Sequence, residues 1–253
     1  MAPHTVFVIP YRNREQHKIL MDKYIEDLKT SRNWGDDDFQ AIYAHQCDKR
    51  PFNRGAMKNI GFLMIKSLYP TDYKNMNIVF HDVDSIPTDI NMFSYKTEKN
   101  VCAHYYGFTF LLGGIVVMKG EDFERINGFP NLWGWGLEDN ELQKRVEQAG
   151  IIIDRSIFVD IMEFDKIPKI DNERMRVINV REASMYSSKE KLDGLTDIRN
   201  LNFEINNEMG NILSFTTGRN FQIKEFKAHD LKTSAGKIRV EPGNFRRNWG
   251  LFR

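Results

Sequence analysis

The chain has 253 residues, 41% of them hydrophobic, which is enough for one large core or a core with a small appendage. Its 36 basic and 35 acidic side chains leave a formal charge of +1, so electrostatics gives no argument for binding nucleic acid or a membrane surface. Because no apolar run approaches the roughly 20 residues that cross a bilayer, no membrane span is expected in this chain. The oligomeric state is left open.

The cysteines and the amino terminus give an expectation about location. Cys47 and Cys102 are the only cysteines, too few for a disulfide framework. The first residues lack the basic region, long apolar stretch and cleavage site of a secretion signal. We therefore expect a soluble, cytoplasmic protein of a reducing compartment, with the Golgi lumen as the alternative if a membrane anchor has been removed.

Strands and helices alternate along the first part of the chain. Strands are predicted at 6–9, 39–44, 77–80, 113–118 and 151–153. The first helix is indicated by apolar residues at helical spacing, namely Ile19, Leu20, Tyr24, Ile25 and Leu28. Further helices are predicted at 54–68 and 138–148, the latter ending before Gly150. This alternation indicates an α/β fold with a largely parallel, doubly wound sheet.

The pattern loosens from about residue 185, where 212–215 and 221–226 are predicted as short strands of a small β-rich tail. We divide the chain into a catalytic domain at 1–200 and a β-rich extension at 201–253 that packs on the same domain. In doubly wound sheets, ligands bind beyond the carboxyl ends of the strands. The polar segments that follow the strands at 6–9 and 77–80 are therefore expected to share one site.

Two aspartates, Asp82 and Asp84, follow the strand at 77–80 and are separated only by Val83. An aspartate after a strand commonly starts a turn or caps a helix, and the Asp-x-Asp pattern alone favours that structural interpretation. Residues i and i+2 of an extended chain nevertheless project to the same side, and two carboxylates suit a hard divalent cation. Such a cation would neutralise a diphosphate if other segments supply a nucleotide and an acceptor.

Arginines and an aromatic ring follow the first two strands. Arg12 and Arg14 come just after the first strand and suit phosphate oxygens, although these residues taken alone favour a solvated helix start. Arg54 is a further phosphate donor, and Phe52 offers either a flat surface for a base or ordinary core packing.

The segment at 129–142, FPNLWGWGLEDNEL, alternates two tryptophans with glycines before three carboxylates and an asparagine open a helix. A purely structural interpretation places Trp133 and Trp135 in the core and Glu138 and Asp139 in a favourably charged first turn. That explains the acids but not the close alternation of glycines with large rings. The alternation indicates a pocket shaped by backbone and indole rings.

These motifs, in this order, resemble the β-1,4-galactosyltransferase family. The motifs are Pro-Tyr-Arg-Asn-Arg (10–14), Phe-Asn-Arg (52–54), Asp-Val-Asp (82–84), Gly-Gly (113–114), Asn-Gly-Phe-Pro (127–130) and Trp-Gly-Trp-Gly-x-Glu-Asp (133–139). The resemblance implies a GT-A nucleotide-sugar-binding fold with a mostly parallel central sheet. It also implies an inverting transferase that uses Mn²⁺, with Mg²⁺ as an alternative, a UDP-sugar donor and a glycan or glycoconjugate acceptor.

The resemblance assigns roles to residues of this chain. The implied donor site consists of Pro10, Tyr11, Arg12, Arg14, Phe52, Arg54, Asp82, Val83, Leu111, Gly113, Gly114 and Trp135. Asp84 resembles the metal-binding aspartate, and Asp139 the base that deprotonates the acceptor hydroxyl. Glu138 would bind hydroxyl groups, and the acceptor would lie against Trp135, Glu138 and Asp139. Inversion needs one base on the acceptor side, while metal and arginines stabilise the departing UDP.

The chain departs from the family pattern at the later metal ligands. The family completes its site with Met-x-x-His or His-x-His, but the segment at 158–168, FVDIMEFDKIP, contains no histidine. Met162 and Asp165 fit Met-x-x-His with aspartate in the last place, so both are expected as ligands. Glu163 and Asp160 are rivals, and all three acids could instead be solvated loop residues.

Two other departures concern the donor wall and the loop before the helix. Galactose-transferring members typically have tyrosine where this chain has Leu111, and loss of that ring makes room for an acetamido group. We therefore expect UDP-GalNAc to be accepted beside, or in preference to, UDP-Gal. Glycine is usual in the family where Leu137 stands. Two alternatives stay open: a GalNAc-transferring domain like those of polysaccharide synthases, and a catalytically silent module that binds UDP-sugars or glycans.

Overall fold

The computed structural model describes residues 1–134, 136–168 and 193–218, together with the backbone of three strands at 176–178, 229–233 and 236–240. Its described α-helices are α1 (Glu15–Arg32), α2 (Arg54–Leu68), α3 (Gly120–Arg125) and α4 (Glu138–Gln148), with a 3₁₀ turn at Leu195–Asp197. The described strands are β1 (Thr5–Tyr11), β2 (Phe39–Gln46), β3 (Asn77–His81), β4 (Val101–Gly107), β5 (Ile115–Lys119), β6 (Ile152–Asp154), β7 (Val159–Asp160), β8 (Arg176–Ile178), β9 (Ile198–Asn206), β10 (Met209–Thr217), β11 (His229–Thr233) and β12 (Gly236–Val240).

A nine-stranded sheet forms the centre of the described structure, in the order β6-β4-β5-β3-β1-β2-β10-β9, with β7 also pairing with β4. β1 pairs in parallel with both β2 and β3, and β10 pairs in parallel with β2. β5 runs antiparallel to β3 and β4, and β9 runs antiparallel to β10. The sheet is therefore mixed but mostly parallel. β8, β11 and β12 form a separate three-stranded sheet.

Both faces of the central sheet are covered, which explains the continuous apolar runs of its inner strands. All seven residues of β1 are buried, and those from Val6 to Ile9 alternate between two hydrophobic clusters. Val6 and Val8 belong to the cluster that contains residues of α2, α3 and α4. Phe7 and Ile9 belong to the cluster that contains residues of α1. This alternation follows from the period of two in a strand.

Most predicted elements are present, and α2 and α4 have the predicted bounds. The predicted strand at 113–118 begins instead at Ile115, because Gly114 adopts a positive φ of 71° and turns the chain just before it. The elements that were not predicted are α3, β4, β7, β8, β9, β11 and β12. Ile19 and Leu20 of α1 are 67% and 46% exposed, so its buried apolar face starts further along the helix.

The carboxyl-terminal part of the chain contributes to the central sheet. The predicted strand at 212–215 lies within β10, which pairs with β2. The predicted boundary at residue 200 falls inside β9, and the two-part division stays a prediction. The predicted strand at 221–226 lies outside the described residues. Among the described helices, none combines the length and apolar character that a bilayer span requires.

Candidate active site

The polar segments that follow β1 and β3 lie at the same edge of the sheet. β1 and β3 are parallel neighbours, so their carboxyl ends are adjacent. Arg14 immediately precedes α1, and its Nη1 donates to Asp84 Oδ2 at 3.2 Å. The predicted phosphate donor and the predicted metal ligand are therefore in contact. This pair forms one side of the candidate site.

Arg54 joins the segment that follows β3 to the first turn of α4. It is the first residue of α2, whose start is capped by the Asn53 side chain, which accepts from the Ala56 amide at 2.9 Å. Arg54 Nε and Nη2 donate to Asp82 at 2.6–3.1 Å. Its Nη1 donates to both oxygens of Asp139 at 2.8 Å and to Glu138 Oε1 at 2.9 Å. One guanidinium thus holds three carboxylates from two motifs.

Asp139 lies against the Gly-Gly motif. Its carbonyl accepts from the Leu112 amide at 3.1 Å. A Cβ added to Gly113 would stand 2.9 Å from the Asp139 carboxyl carbon, which is closer than carbon atoms normally approach. Glycine at 113 is therefore what allows the carboxylate to occupy this place. A Cβ on the same residue would also stand 3.0 Å from Leu111 Cδ1, so Leu111 borders the same space.

The residues before α4 have a special backbone conformation. Leu137 adopts φ 71° and ψ −15°, the left-handed conformation that favours glycine. Glu138 is buried, and its Oε2 accepts from the Gly136 amide at 3.1 Å. The sequence expectation that position 137 is unusual therefore coincides with an unusual backbone in this structure.

Burial and opposite charges shift the pKa values of the clustered groups in different directions. Burial disfavours the Arg54 charge, but Asp139, Asp82 and Glu138 outweigh it and raise the Arg54 pKa well above its usual value. Burial raises the pKa of Asp82, yet the charges of Arg54 and Lys58 dominate and hold it at about 2. The Glu138 pKa is raised, first by burial and then by Asp139. Asp82 is therefore held ionised by its cationic neighbours.

The surroundings of Asp84 bear on cation binding. Burial raises the pKa of Tyr106 to about 12, and the negative charges of Asp84, Asp82 and Asp160 add to this effect. Asp160 ends β7, and its register partner on β4 is Gly107, the residue after Tyr106. Its Oδ1 accepts from the Met162 amide at 3.0 Å. Carboxylates near a diphosphate site suit Mn²⁺ or Mg²⁺, which take their other ligands from phosphate and water.

The two predicted later ligands are exposed. Met162 is 66% exposed, and Asp165 is exposed with its carbonyl accepting from Thr88 Oγ1 at 3.2 Å. Within the described ranges, no three His, Cys, Asp or Glu side chains are grouped as a metal site. Met162 and Asp165 therefore stay predictions as metal ligands.

The other predicted donor residues differ in burial and in their contacts. Pro10 and Tyr11 end β1 and are buried, as is Val83. Arg12 Nη1 donates to the Arg50 carbonyl. Phe52 is partly buried against the core, in agreement with a packing role, and its carbonyl accepts from the Gly134 amide at 3.3 Å.

Of the two tryptophans in the Trp-Gly-Trp-Gly motif, only Trp133 is among the described residues. Trp133 is buried and stacks on Phe215 with ring centroids 5.4 Å apart, so the core interpretation holds for this ring. Trp135, the predicted donor and acceptor residue, lies outside the described residues.

Sequence reasoning missed three residues that support the cluster. Lys58 lies one turn after Arg54 on α2 and approaches the same carboxylates, a position that helical spacing of four indicates. Asn59 links α2 to the Asn-Gly-Phe-Pro motif by accepting from the Phe129 amide at 2.9 Å. His104 Nε2 lies 3.1 Å from the Gly113 carbonyl, and burial, aided by Arg155, lowers its pKa to about 4. A neutral His104 therefore supports the backbone beside Asp139.

Solved structures show which class the fold belongs to. The catalytic domain of Drosophila β1,4-galactosyltransferase 7 in complex with xylobiose matches with a TM-score of 0.64 at 20% identity, covering 95% of this chain and 93% of that chain. A mutant of the same enzyme, in complex with manganese, UDP-Gal and xylobiose, matches with a TM-score of 0.62 at 19% identity. The chain has a GT-A glycosyltransferase fold.

Sequence comparisons identify the family. The family described as the N-terminal region of glycosyl transferase group 7 matches residues 2–96, and the N-terminal domain of galactosyltransferase matches residues 95–169. Mouse β-1,4-galactosyltransferase 5 is 32% identical over 209 residues, covering 79% of this chain and 51% of that protein. Human β-1,4-galactosyltransferase 4 is 29% identical over 189 residues, covering 68% of this chain and 52% of that protein.

The chain belongs to the β-1,4-galactosyltransferase family. It spans about half the length of the curated relatives it matches.

Proposed function

We propose that the protein is an inverting, metal-dependent glycosyltransferase that moves galactose or N-acetylgalactosamine from UDP to a sugar hydroxyl. The observation that carries this proposal is the contact of Arg54 with Asp82 on one side and with Glu138 and Asp139 on the other. A donor-side motif and an acceptor-side motif therefore border one space. A related fold that holds manganese, UDP-Gal and xylobiose supports the same assignment.

On the donor side, Arg14 and Arg54 would bind the diphosphate by charge-assisted hydrogen bonds. Asp84 would hold Mn²⁺ or Mg²⁺, which neutralises the charge that develops on the departing UDP. Among the candidates for a second carboxylate, Asp160 is favoured because it shares the surroundings of Tyr106 with Asp84. Glu163 is a weaker candidate because its carboxylate is already paired with Lys166.

On the acceptor side, Asp139 would take the proton of the incoming hydroxyl as that oxygen attacks the anomeric carbon. The bond from the anomeric carbon to the UDP oxygen breaks in the same step, so the anomeric configuration inverts. No second protein acid is required, because the diphosphate leaves as an anion that is stabilised by cations. Glu138, whose Oε1 accepts from Arg54 and whose Oε2 accepts from the Gly136 amide, would accept hydrogen bonds from sugar hydroxyls.

The donor sugar would be set in part by Leu111. This residue is only partly buried and borders the space beside Gly113 and Asp139. Leucine lacks the ring and hydroxyl of a tyrosine, so an acetamido group at C2 of the donor would meet less bulk. We therefore propose that UDP-GalNAc is used, and competition between UDP-Gal and UDP-GalNAc tests this. Strict use of UDP-Gal would remove Leu111 from the donor wall.

A transfer screen tests the activity itself. The protein with Mn²⁺ and each donor would be applied to an array of glycans that end in different sugars. Transfer with inversion to at least one class of terminal sugar is expected. Binding of UDP without turnover on any glycan or on water would contradict the enzyme and would instead indicate a UDP-sugar-binding module.

A further inference from the structure

Lys58 is a buried cation that the proposed reaction does not use. It lies on α2 one turn after Arg54, and its side chain is 0% exposed. Its Nζ lies 3.5 Å from Asp82 Oδ1, 3.7 Å from Asp139 Oδ1 and 4.7 Å from the centre of the Phe129 ring. At these distances its three donors form no hydrogen bond with the described residues. Burial and then the charge of Arg54 lower the Lys58 pKa, and the nearby acids offset this only in part, so burying an amine here is costly and needs a reason.

Arg54, by contrast, has all three of its nitrogens bound to carboxylates. Asp82 accepts from Nε and Nη2, and Asp139 accepts from Nη1. An arginine in this arrangement has to release some of these bonds before it can bind a diphosphate. The carboxylates it leaves would then repel one another in a partly buried site, which opposes donor binding.

We propose that Lys58 is a positioning residue that takes over Asp82 and Asp139 when Arg54 turns to the donor diphosphate. This inference rests on the proposed function, in which Arg54 binds UDP. The ammonium is close enough for the exchange, because a movement of about 1 Å brings Nζ to the hydrogen-bond distance of about 2.9 Å from either carboxylate. Its unused donors face the two acids that Arg54 would leave.

The exchange has two consequences. Arg54 becomes available to the diphosphate at little electrostatic cost, since a cation stays beside the acids. Asp139 also stays anchored after Arg54 has moved, so that it remains in place for the acceptor hydroxyl. Without Lys58, Arg54 would be the sole cation between Asp82 and Asp139 in the described structure, and UDP would have to compete with them for it.

Calorimetric titration of UDP in the presence of Mn²⁺ tests the role of Lys58. Lys58→Met, which keeps the length of the side chain without its charge, is expected to weaken UDP binding at least about tenfold. Adding Asp139→Asn to that variant removes one of the acids that retain Arg54, so binding should return to within about threefold of wild type. Lys66→Met is the matched control, because Lys66 lies on the same helix and pairs with Glu124 away from the site.

The outcomes are distinguishable. Failure of the wild-type protein to bind UDP contradicts the proposed function itself. Normal UDP binding by a folded Lys58→Met variant overturns the role of Lys58. Equally weak UDP binding by Lys58→Met and by the Lys58→Met, Asp139→Asn double variant also overturns it. The absence of rescue would mean that Lys58→Met weakens binding by damaging the fold and not by leaving Arg54 bound to the acids. If Lys58→Met does not unfold cooperatively on heating, Lys58→Gln replaces it with the same expectations.

Discussion

Substituting Gly113 by alanine would displace the candidate base without removing it. An added Cβ would stand 2.9 Å from the carboxyl carbon of Asp139. Carbon atoms in favourable contact are about 3.5–4.0 Å apart, so the carboxylate has to move by about 0.6–1 Å. Leu111 Cδ1, 3.0 Å from the same Cβ, is the end of a flexible side chain and can turn away. The substitution therefore acts mainly on Asp139.

The size of the effect follows from the displacement. A misplacement of about 1 Å at a reacting group can cost about a hundredfold in rate, so kcat of Gly113→Ala is expected to fall by about tenfold to a hundredfold. UDP binding should change less than kcat, because the nearest neighbours of the added Cβ are Asp139 and Leu111, and the contact of Arg14 with Asp84 involves neither.

Initial transfer rates at saturating donor and acceptor, with UDP titrations beside them, measure both quantities. Gly35→Ala is the control, since the nearest atom to an added Cβ there is Asp38 Oδ2 at 3.8 Å in an exposed turn. A Gly113→Ala variant with kcat within about twofold of the Gly35→Ala control would refute the placement of Asp139 as the base.

Three further predictions concern stability, pH and metal. Leu137→Gly should raise the free energy of unfolding by about 0.5–1 kcal/mol in chemical denaturation, because glycine adopts the positive φ at less cost. The pKa of His104 is lowered to about 4 in the folded protein, from about 6.5 when unfolded. The free energy of unfolding should therefore fall by up to about 1.4 kcal/mol per pH unit as the pH drops from about 6.5 to about 4, and it should fall less steeply in His104→Gln. Asp160→Ala should raise the Mn²⁺ concentration for half-maximal activity by about tenfold, and by more than Asp165→Ala does.

Each of these has a contrary outcome. A less stable Leu137→Gly protein would mean that the packing of the leucine side chain outweighs its backbone strain. Identical pH slopes for wild type and His104→Gln would show that this histidine is not held neutral by the fold. A larger metal effect for Asp165→Ala would assign the second ligand to Asp165 and not to Asp160.

The three long helices, α1, α2 and α4, were predictable because their signals are local, whereas the six-residue α3 was missed. α2 begins after the capping residue Asn53, and α4 ends just before Gly150, which adopts a φ of 68°. β4 was missed because its buried residues include His104 and show no alternation of polar and apolar positions. The antiparallel direction of β5 is also absent from the sequence pattern, since a strand buried on both faces is apolar throughout in either direction.

The candidate site was predictable only for those residues that belong to recognisable motifs. The positions of Arg54, Asp82 and Asp139 in recognisable motifs allowed their grouping to be expected, and the structure brings these side chains into contact. Lys58 was missed because lysine is rarely buried, so a lysine in a predicted helix is normally assigned to the face that contacts solvent. The difference between Asp160 and Asp165 depends on the turn that follows β7, and a single sequence does not specify that turn.

The most direct test of the central claim is the transfer rate of Asp139→Asn, measured with UDP-sugar, Mn²⁺ and a glycan that wild type uses. The amide cannot accept the proton of the hydroxyl, so the rate should fall by about a thousandfold or more, while UDP and Mn²⁺ bind nearly as in wild type. Transfer by Asp139→Asn at a rate close to that of wild type would contradict the account, because some other group would then remove the proton.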